Sequence, residues 1–327
     1  MRAWLAALAT ALTIIAPADL RAQAVPPPPA PAIAAAVGEY GTGDNLLTVY
    51  EQGGQLYLNG RGLQASALWQ ISPGRYTGAV GEVAFAPDAV ILSGERLPRR
   101  DVGAETVAEI QAGVKADPAR VRAAALAATP PAEPPARRAS DLVSLTSLDP
   151  TIRLDIRYAS TNNFMGFPLY ERSGAWLQRP AAEALARAAK TLKAQGYGLL
   201  IHDGYRPWFV TRMFWDATPA YAHVFVADPA KGSRHNRGCA VDLTLYDLKT
   251  GEPVEMTGRY DEMSRRSYAD YVGGTSRQRW TRDLLRKAME AEGFSVFPEE
   301  WWHFDYKDWR DYPIGTETFS QLVAAGR

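Results

Sequence analysis

The sequence predicts an α+β domain with a central antiparallel sheet flanked by helices, preceded by a small all-β domain. Two patterns carry this prediction. Between residues 37 and 100, short apolar runs alternate with Gly, Pro and Asp, the spacing of a small antiparallel meander. Beyond residue 140, strand-like runs are interleaved with segments of helical period. Residues 129–139, with four prolines and two arginines, read as the linker between the two units.

The β-rich unit is read first. Residues 46–51 and 55–58 flank Gly53-Gly54, a hairpin signal, and 67–71, 82–85 and 90–92 add short strands. This unit offers no paired carboxylates, histidine or phosphate loop, so it reads as an accessory domain. Residues 102–128 form one or two helices. In the second unit, 152–158 is a strand and 180–195 a helix, with Pro180 in its first turn and Gly196 as its stop. Leu185, Ala188, Ala189 and Leu192 make its inward stripe. Residues 197–202 form an apolar strand, 208–215 a helix and 240–246 a strand. A helix over 282–292 is stopped by Gly293, and 300–306 is a final strand or strand entry.

Composition narrows the function. The 327 residues suit about two domains. A formal net charge of zero offers no basic face for nucleic acid. The single cysteine, Cys239, excludes an internal disulfide and a thiolate metal cage. Any histidine-based metal site must draw on His202, His223, His235 and His303. Arg2, an apolar run over 4–17 and Ala22-Gln23-Ala24 form the pattern of a cleaved export signal over residues 1–24. The run is shorter than the roughly 20 residues of a bilayer span. A periplasmic or extracellular location is therefore expected, with no stable membrane span after signal removal. Residues 25–36 read as a Pro/Ala linker, 37–100 as the accessory domain, 101–139 as a helical segment with the second linker, and 140–327 as the α+β domain.

Three segments carry chemistry. In the first, His235 lies in a polar loop and Asp242 in a strand, where alternation puts Ala240, Asp242 and Thr244 on one face. Cys239 falls on the other face and reads as packing. A carboxylate inside an apolar strand is costly unless compensated, either by a metal ion or by a nearby arginine. In the second, Glu300 and His303 are three apart, so a turn or strand start must bring them together. Two histidines and one carboxylate with an open position make a standard catalytic zinc arrangement, and Glu300 is placed to move protons. In the third, Arg206 follows a buried strand in Asp203-Gly204-Tyr205-Arg206-Pro207. It either aims a guanidinium into a cleft, where it would hold a developing oxyanion, or forms a turn salt bridge.

These motifs together resemble the D-alanyl-D-alanine dipeptidase family, the zinc family known from vancomycin resistance. The likeness spans residues 142–313. It rests on the S-x-H-x-x-G-x-A-x-D frame through His235 and Asp242, on Glu300-Trp301-Trp302-His303 and on the Asp-Gly-Tyr-Arg-Pro turn. It extends to residues 155–166, 195–198, 242–246 and 258–263. The resemblance implies one Zn2+ per chain on His235, Asp242 and His303, with Glu300 as acid/base and Arg206 stabilising the transition state. It further implies that Asp261 holds the substrate's amino group and that Tyr158 and Ser233 line the pocket. His202 and His223 match no metal role and read as structural. The expected substrate is a short D,D-dipeptide such as D-Ala-D-Ala. Export and the extra β unit favour two alternatives: a D,D-carboxypeptidase or murein peptidase acting on cell-wall peptides, or a non-catalytic zinc-containing wall-binding protein.

Overall fold

A computed structural model describes residues 24–43 and 45–327. The export-signal pattern lies outside the described residues, apart from Ala24. Among the described residues, no helix is long and apolar enough to cross a membrane.

The N-terminal unit closes into an eight-stranded antiparallel barrel. Its strands are β1 (Gly38–Tyr40), β2 (Leu47–Gln52), β3 (Gln55–Gly60), β4 (Leu63–Ser72), β5 (Arg75–Gly78), β6 (Gly81–Ala86), β7 (Ala89–Leu92) and β8 (Glu95–Arg100). The expected Gly53-Gly54 hairpin is present. Gln52 pairs with Gln55, and both glycines take positive φ, 60° and 84°, as a two-residue turn of this hand requires. Alternate residues point inward, so Leu47, Val49, Leu56, Leu58, Leu68, Tyr76, Val83, Val90 and Leu97 fill the barrel. The meander expectation missed β1, β5 and β8, and with them the closure of β1 on β8. These strands are short or rich in polar residues and show no apolar alternation. The Pro/Ala linker is also corrected. Its second half is a helix, α1 (Pro31–Ala36), whose Ile33 and Ala36 join the barrel core.

Two helices follow, α2 (Val102–Lys115) and α3 (Pro118–Ala127), each capped by an aspartate, Asp101 and Asp117. The second unit is built from β9 (Leu142–Ser144), α4 (Leu145–Leu148), β10 (Arg153–Leu154), β11 (Trp176–Gln178), α5 (Arg179–Lys193), β12 (Tyr197–Asp203), α6 (Trp208–Ala217), β13 (Ala240–Asp247), α7 (Ser276–Ala291), β14 (Phe294–Phe297), β15 (Glu300–Tyr306) and α8 (Phe319–Ala324). Its main sheet has the order β10-β12-β13-β15-β14. It is antiparallel except at its edge, where β10 runs parallel to β12. Val241, Leu243 and Leu245 of β13 share one buried cluster with Leu185 and Leu192 of α5. Burying one such leucine is worth roughly 2 kcal/mol, so this packing anchors the central strand. Gly198 is required where it stands, because a Cβ there would run into the ring of Tyr246, its partner across the sheet.

Two further expectations change. The strand over 152–158 is only two residues long. The Asp155 carboxylate turns back to Arg157 and His202, and the chain enters a 3-10 turn at Arg157–Ala159 that delivers Tyr158 to the cleft. The helix over 282–292 starts six residues earlier, at a Thr275/Gln278 capping box.

The barrel docks on the start of α7. The buried Glu51 carboxylate of β2 accepts from the Ser276 backbone at 2.7 Å, and Glu51 N–H donates to Gly274 O at 3.1 Å. A carboxylate at a helix N-terminus is favoured by the free N–H groups there. Glu51→Ala is therefore expected to cost about 1–2 kcal/mol, and Glu51→Gln less. Thermal unfolding checks this: a midpoint unchanged in Glu51→Ala would remove the contact from the account.

Candidate active site

Three adjacent strands lay a row of polar residues across an otherwise apolar sheet. Asp203 of β12 stands opposite Asp242 of β13, and Asp242 stands opposite His303 of β15. The first pairing depends on an irregularity, since Ile201 pairs with Leu243 and the next pair is Asp203 with Asp242. The extra residue, His202, shifts the phase so that Asp203 shares a face with Asp242. His235 arrives from the 3-10 turn His235–Arg237 just before β13. Asn236 fixes that turn by donating to Arg206 O at 2.8 Å and Thr211 Oγ1 at 2.9 Å.

The three predicted ligands converge. His235 Nε2 lies 3.0 Å from His303 Nδ1, and these nitrogens lie 3.2 and 3.0 Å from Asp242 Oδ1. The outer nitrogen of each ring is spoken for. His235 Nδ1–H donates to Gly204 O at 2.7 Å, and His303 Nε2–H donates to Asp305 Oδ1 at 2.9 Å. Each bond selects the tautomer whose inner nitrogen carries a lone pair. Two lone pairs and a carboxylate oxygen then face one another in a buried space, which is repulsive without a positive charge among them. The His303 imidazole shows that demand: burial opposes its charge, yet Asp305 and Asp242 push its pKa up to about 10. For Asp242, burial pushes the pKa up, but the facing His235 and His303 hold it well below the carboxylate range. The donor set fits a divalent cation bound by two imidazoles and a carboxylate.

Glu300 is brought to His303 as the spacing demanded. Val296 pairs with Phe304, but the next residue, Phe297, pairs with Glu300, leaving 301–303 bulged. The bulge puts Glu300 Oε2 3.6 Å from His303 Nδ1. Burial raises the Glu300 carboxyl to about 8.

Arg206 is buried, not a surface turn residue. It makes two contacts of 2.9 Å with Asp203 Oδ2, and its guanidinium lies over the Phe214 ring. Asp203 also accepts from Tyr170 and from Gly204 N–H. Asp261 lies in the same cleft with φ of 57°, an uncommon backbone for a non-glycine residue. Its Oδ1 accepts from Tyr158 at 2.8 Å, while its buried Oδ2 has no hydrogen-bond partner among the described residues. Burial raises its pKa to about 8. Ser233 lines the cleft and its Oγ accepts from His235 N–H at 3.2 Å.

His202 stacks on Tyr260, and His223 stacks on Trp215. Cys239 is buried in the core. Sequence reasoning missed Asp305, Asp203 and Tyr260. The signal for Asp305 was present, since two residues on a strand share a face. Tyr260, whose hydroxyl lies 3.0 Å from Asp242 Oδ2, gave no signal beyond its place beside Asp261.

His235, Asp242, His303, Glu300, Arg206, Asp261, Tyr158 and Ser233 all line one cleft. The family profile described as D-ala-D-ala dipeptidase, Peptidase M15, matches residues 138–320. The D-alanyl-D-alanine dipeptidase of Escherichia coli (strain K12) is 33% identical over 187 residues, covering 57% of this chain and 95% of that protein. That of Enterococcus faecium is 37% identical over 180 residues, covering 50% and 89%. Among solved structures, the vancomycin-resistance D,D-pentapeptidase VanY with Zn(II) is similar over 41% of this chain and 74% of that one, at 18% identity and a TM-score of 0.28. On the family match and the two sequence identities, the chain belongs to the D-Ala-D-Ala dipeptidase family of M15 metallopeptidases.

Proposed function

We propose that residues 140–327 hydrolyse a D,D-dipeptide with a free amino end, such as D-Ala-D-Ala, using one Zn2+ held by His235, Asp242 and His303. The observation that carries this reading is Asp261. A buried carboxylate oxygen without a partner, in the cleft that holds three converging donors, calls for a cation supplied by the substrate. The substrate's ammonium group meets that need. Tyr158 orients the carboxylate by donating to its other oxygen.

Zinc bound there would polarise the scissile carbonyl and lower the pKa of water toward about 7. Glu300 removes a proton from the attacking water and returns it to the leaving amine. Arg206, fixed by Asp203, presents its charge to the oxyanion that develops on the carbonyl. Ser233 holds the His235 turn and walls the pocket.

A second reading, a D,D-carboxypeptidase or murein peptidase acting on peptidoglycan peptides, is favoured by the export pattern and the added barrel. It would leave Asp261 buried and unpaired. A zinc-containing wall-binding protein without turnover would not need Glu300 beside the donors. In each reading the protein is exported, and the barrel serves as an accessory unit.

Glu300→Gln should lower kcat at least about 100-fold while zinc content, measured by elemental analysis, stays at one per chain. Activity retained in this variant would remove Glu300 from the chemistry. Asp305→Ala should weaken zinc binding about 10–100-fold by freeing the His303 ring, as chelator competition would show. With free D-Ala-D-Ala, KM should fall as pH rises toward about 8, because only ionised Asp261 pairs with the ammonium. N-acetyl-D-Ala-D-Ala should bind worse by about 2–5 kcal/mol, and Asp261→Asn should abolish both the preference and the pH limb. Equal cleavage of the acetylated compound would favour the carboxypeptidase reading.

A further inference from the structure

Helix α2 lies outside the matched family region, yet it touches three segments that wall the cleft. Asp101, its N-cap, accepts from Arg259 at 2.6 Å. Gln111 donates to Asn163 O at 3.2 Å, in the loop that follows Tyr158. Glu109 accepts from Tyr221, on the rim turn Ala220–Phe225. The tightest contact is at Gly103. This residue is buried, and a methyl group there would collide with Glu262 Cγ.

Glu262 cannot easily step aside. Its carboxylate accepts from Arg259 N–H at 2.8 Å and Ser264 Oγ at 2.9 Å, and pairs with Arg266 at 3.3 Å. Arg259 and Glu262 thereby close a turn around Asp261, the residue held at positive φ. A strained backbone of this kind persists only where its surroundings fix it. The first turn of α2 supplies one wall of that fixture through Gly103.

We propose that α2, through Gly103 packed on Glu262, is a positioning element for the amino-end subsite: it sets the pose of Asp261 and so the preference for free amino ends. The proposal rests on the reading of Asp261 given above. Gly103 touches no substrate and acts only through Glu262.

The test uses the full zinc-loaded chain and compares wild type with Gly103→Ala and Asp101→Asn. Asparagine keeps the helix cap but removes the charge facing Arg259. Kinetics on D-Ala-D-Ala and N-acetyl-D-Ala-D-Ala are measured beside hydrogen–deuterium exchange of residues 258–263. For Gly103→Ala the expected result is a KM for the free dipeptide raised about tenfold, with kcat and zinc content little changed and faster exchange in 258–263. Asp101→Asn should move the same quantities less, and it carries the test if Gly103→Ala does not fold. Unchanged KM and exchange would overturn the proposal. So would a fall in kcat that tracks zinc loss or global unfolding. If wild type cleaves neither dipeptide, faster exchange in the variant still supports the bracing while the substrate reading falls. Unchanged exchange would then overturn the bracing itself.

Discussion

Two imidazole lone pairs and a carboxylate oxygen meet at one buried point, and they repel unless a positive charge sits among them. Much of the second unit serves to hold that repulsion in place. Gly204 O and Asp305 lock the two rings from outside. The irregularity at His202 turns Asp203 onto the face of Asp242, where it can hold Arg206. The bulge over 301–303 swings Glu300 toward the same point. Buried polar groups this dense are tolerated only when nearly all are satisfied. Among the described residues, Asp261 Oδ2 is a fully buried carboxylate oxygen without a hydrogen-bond partner, and it is therefore informative about the ligand.

The sheet divides the work. Leu185 and Leu192 of α5 and the alternating Val241, Leu243 and Leu245 supply the apolar anchor, and Asp242, on the opposite face of β13, meets His235 and His303. Because side chains on a strand alternate strictly, a slip of one residue in β13 would exchange Asp242 for Val241 and destroy both faces at once. The close Gly198–Tyr246 approach and the α5 packing resist such a slip. The N-terminal barrel, through Glu51 on α7, and α2, through Gly103 on Glu262, attach to the same framework from outside.

The sequence was most legible where chemistry and period reinforced each other. His235, Asp242, His303 and Glu300 stood out because a charge in an apolar strand and an acid three residues from a histidine both demand explanation. The structure brings all four together. The main strands and helices of the second unit were readable from their apolar periods. What escaped was set by contacts distant in sequence. Barrel closure depends on β1 and β8, whose short, polar sequences carry no strand signal. The two-residue length of β10 follows from Asp155 reaching Arg157 and His202. Tyr260 gains its place from stacking on His202, which no local pattern reveals.

The central claim is that His235, Asp242 and His303 form one cation site. Zinc K-edge X-ray absorption on the purified chain tests it most directly. The account predicts a single zinc environment of nitrogen and oxygen donors with the multiple-scattering signature of two imidazoles, losing one imidazole in His303→Ala. A signature without imidazole, or one unchanged in that variant, would contradict it.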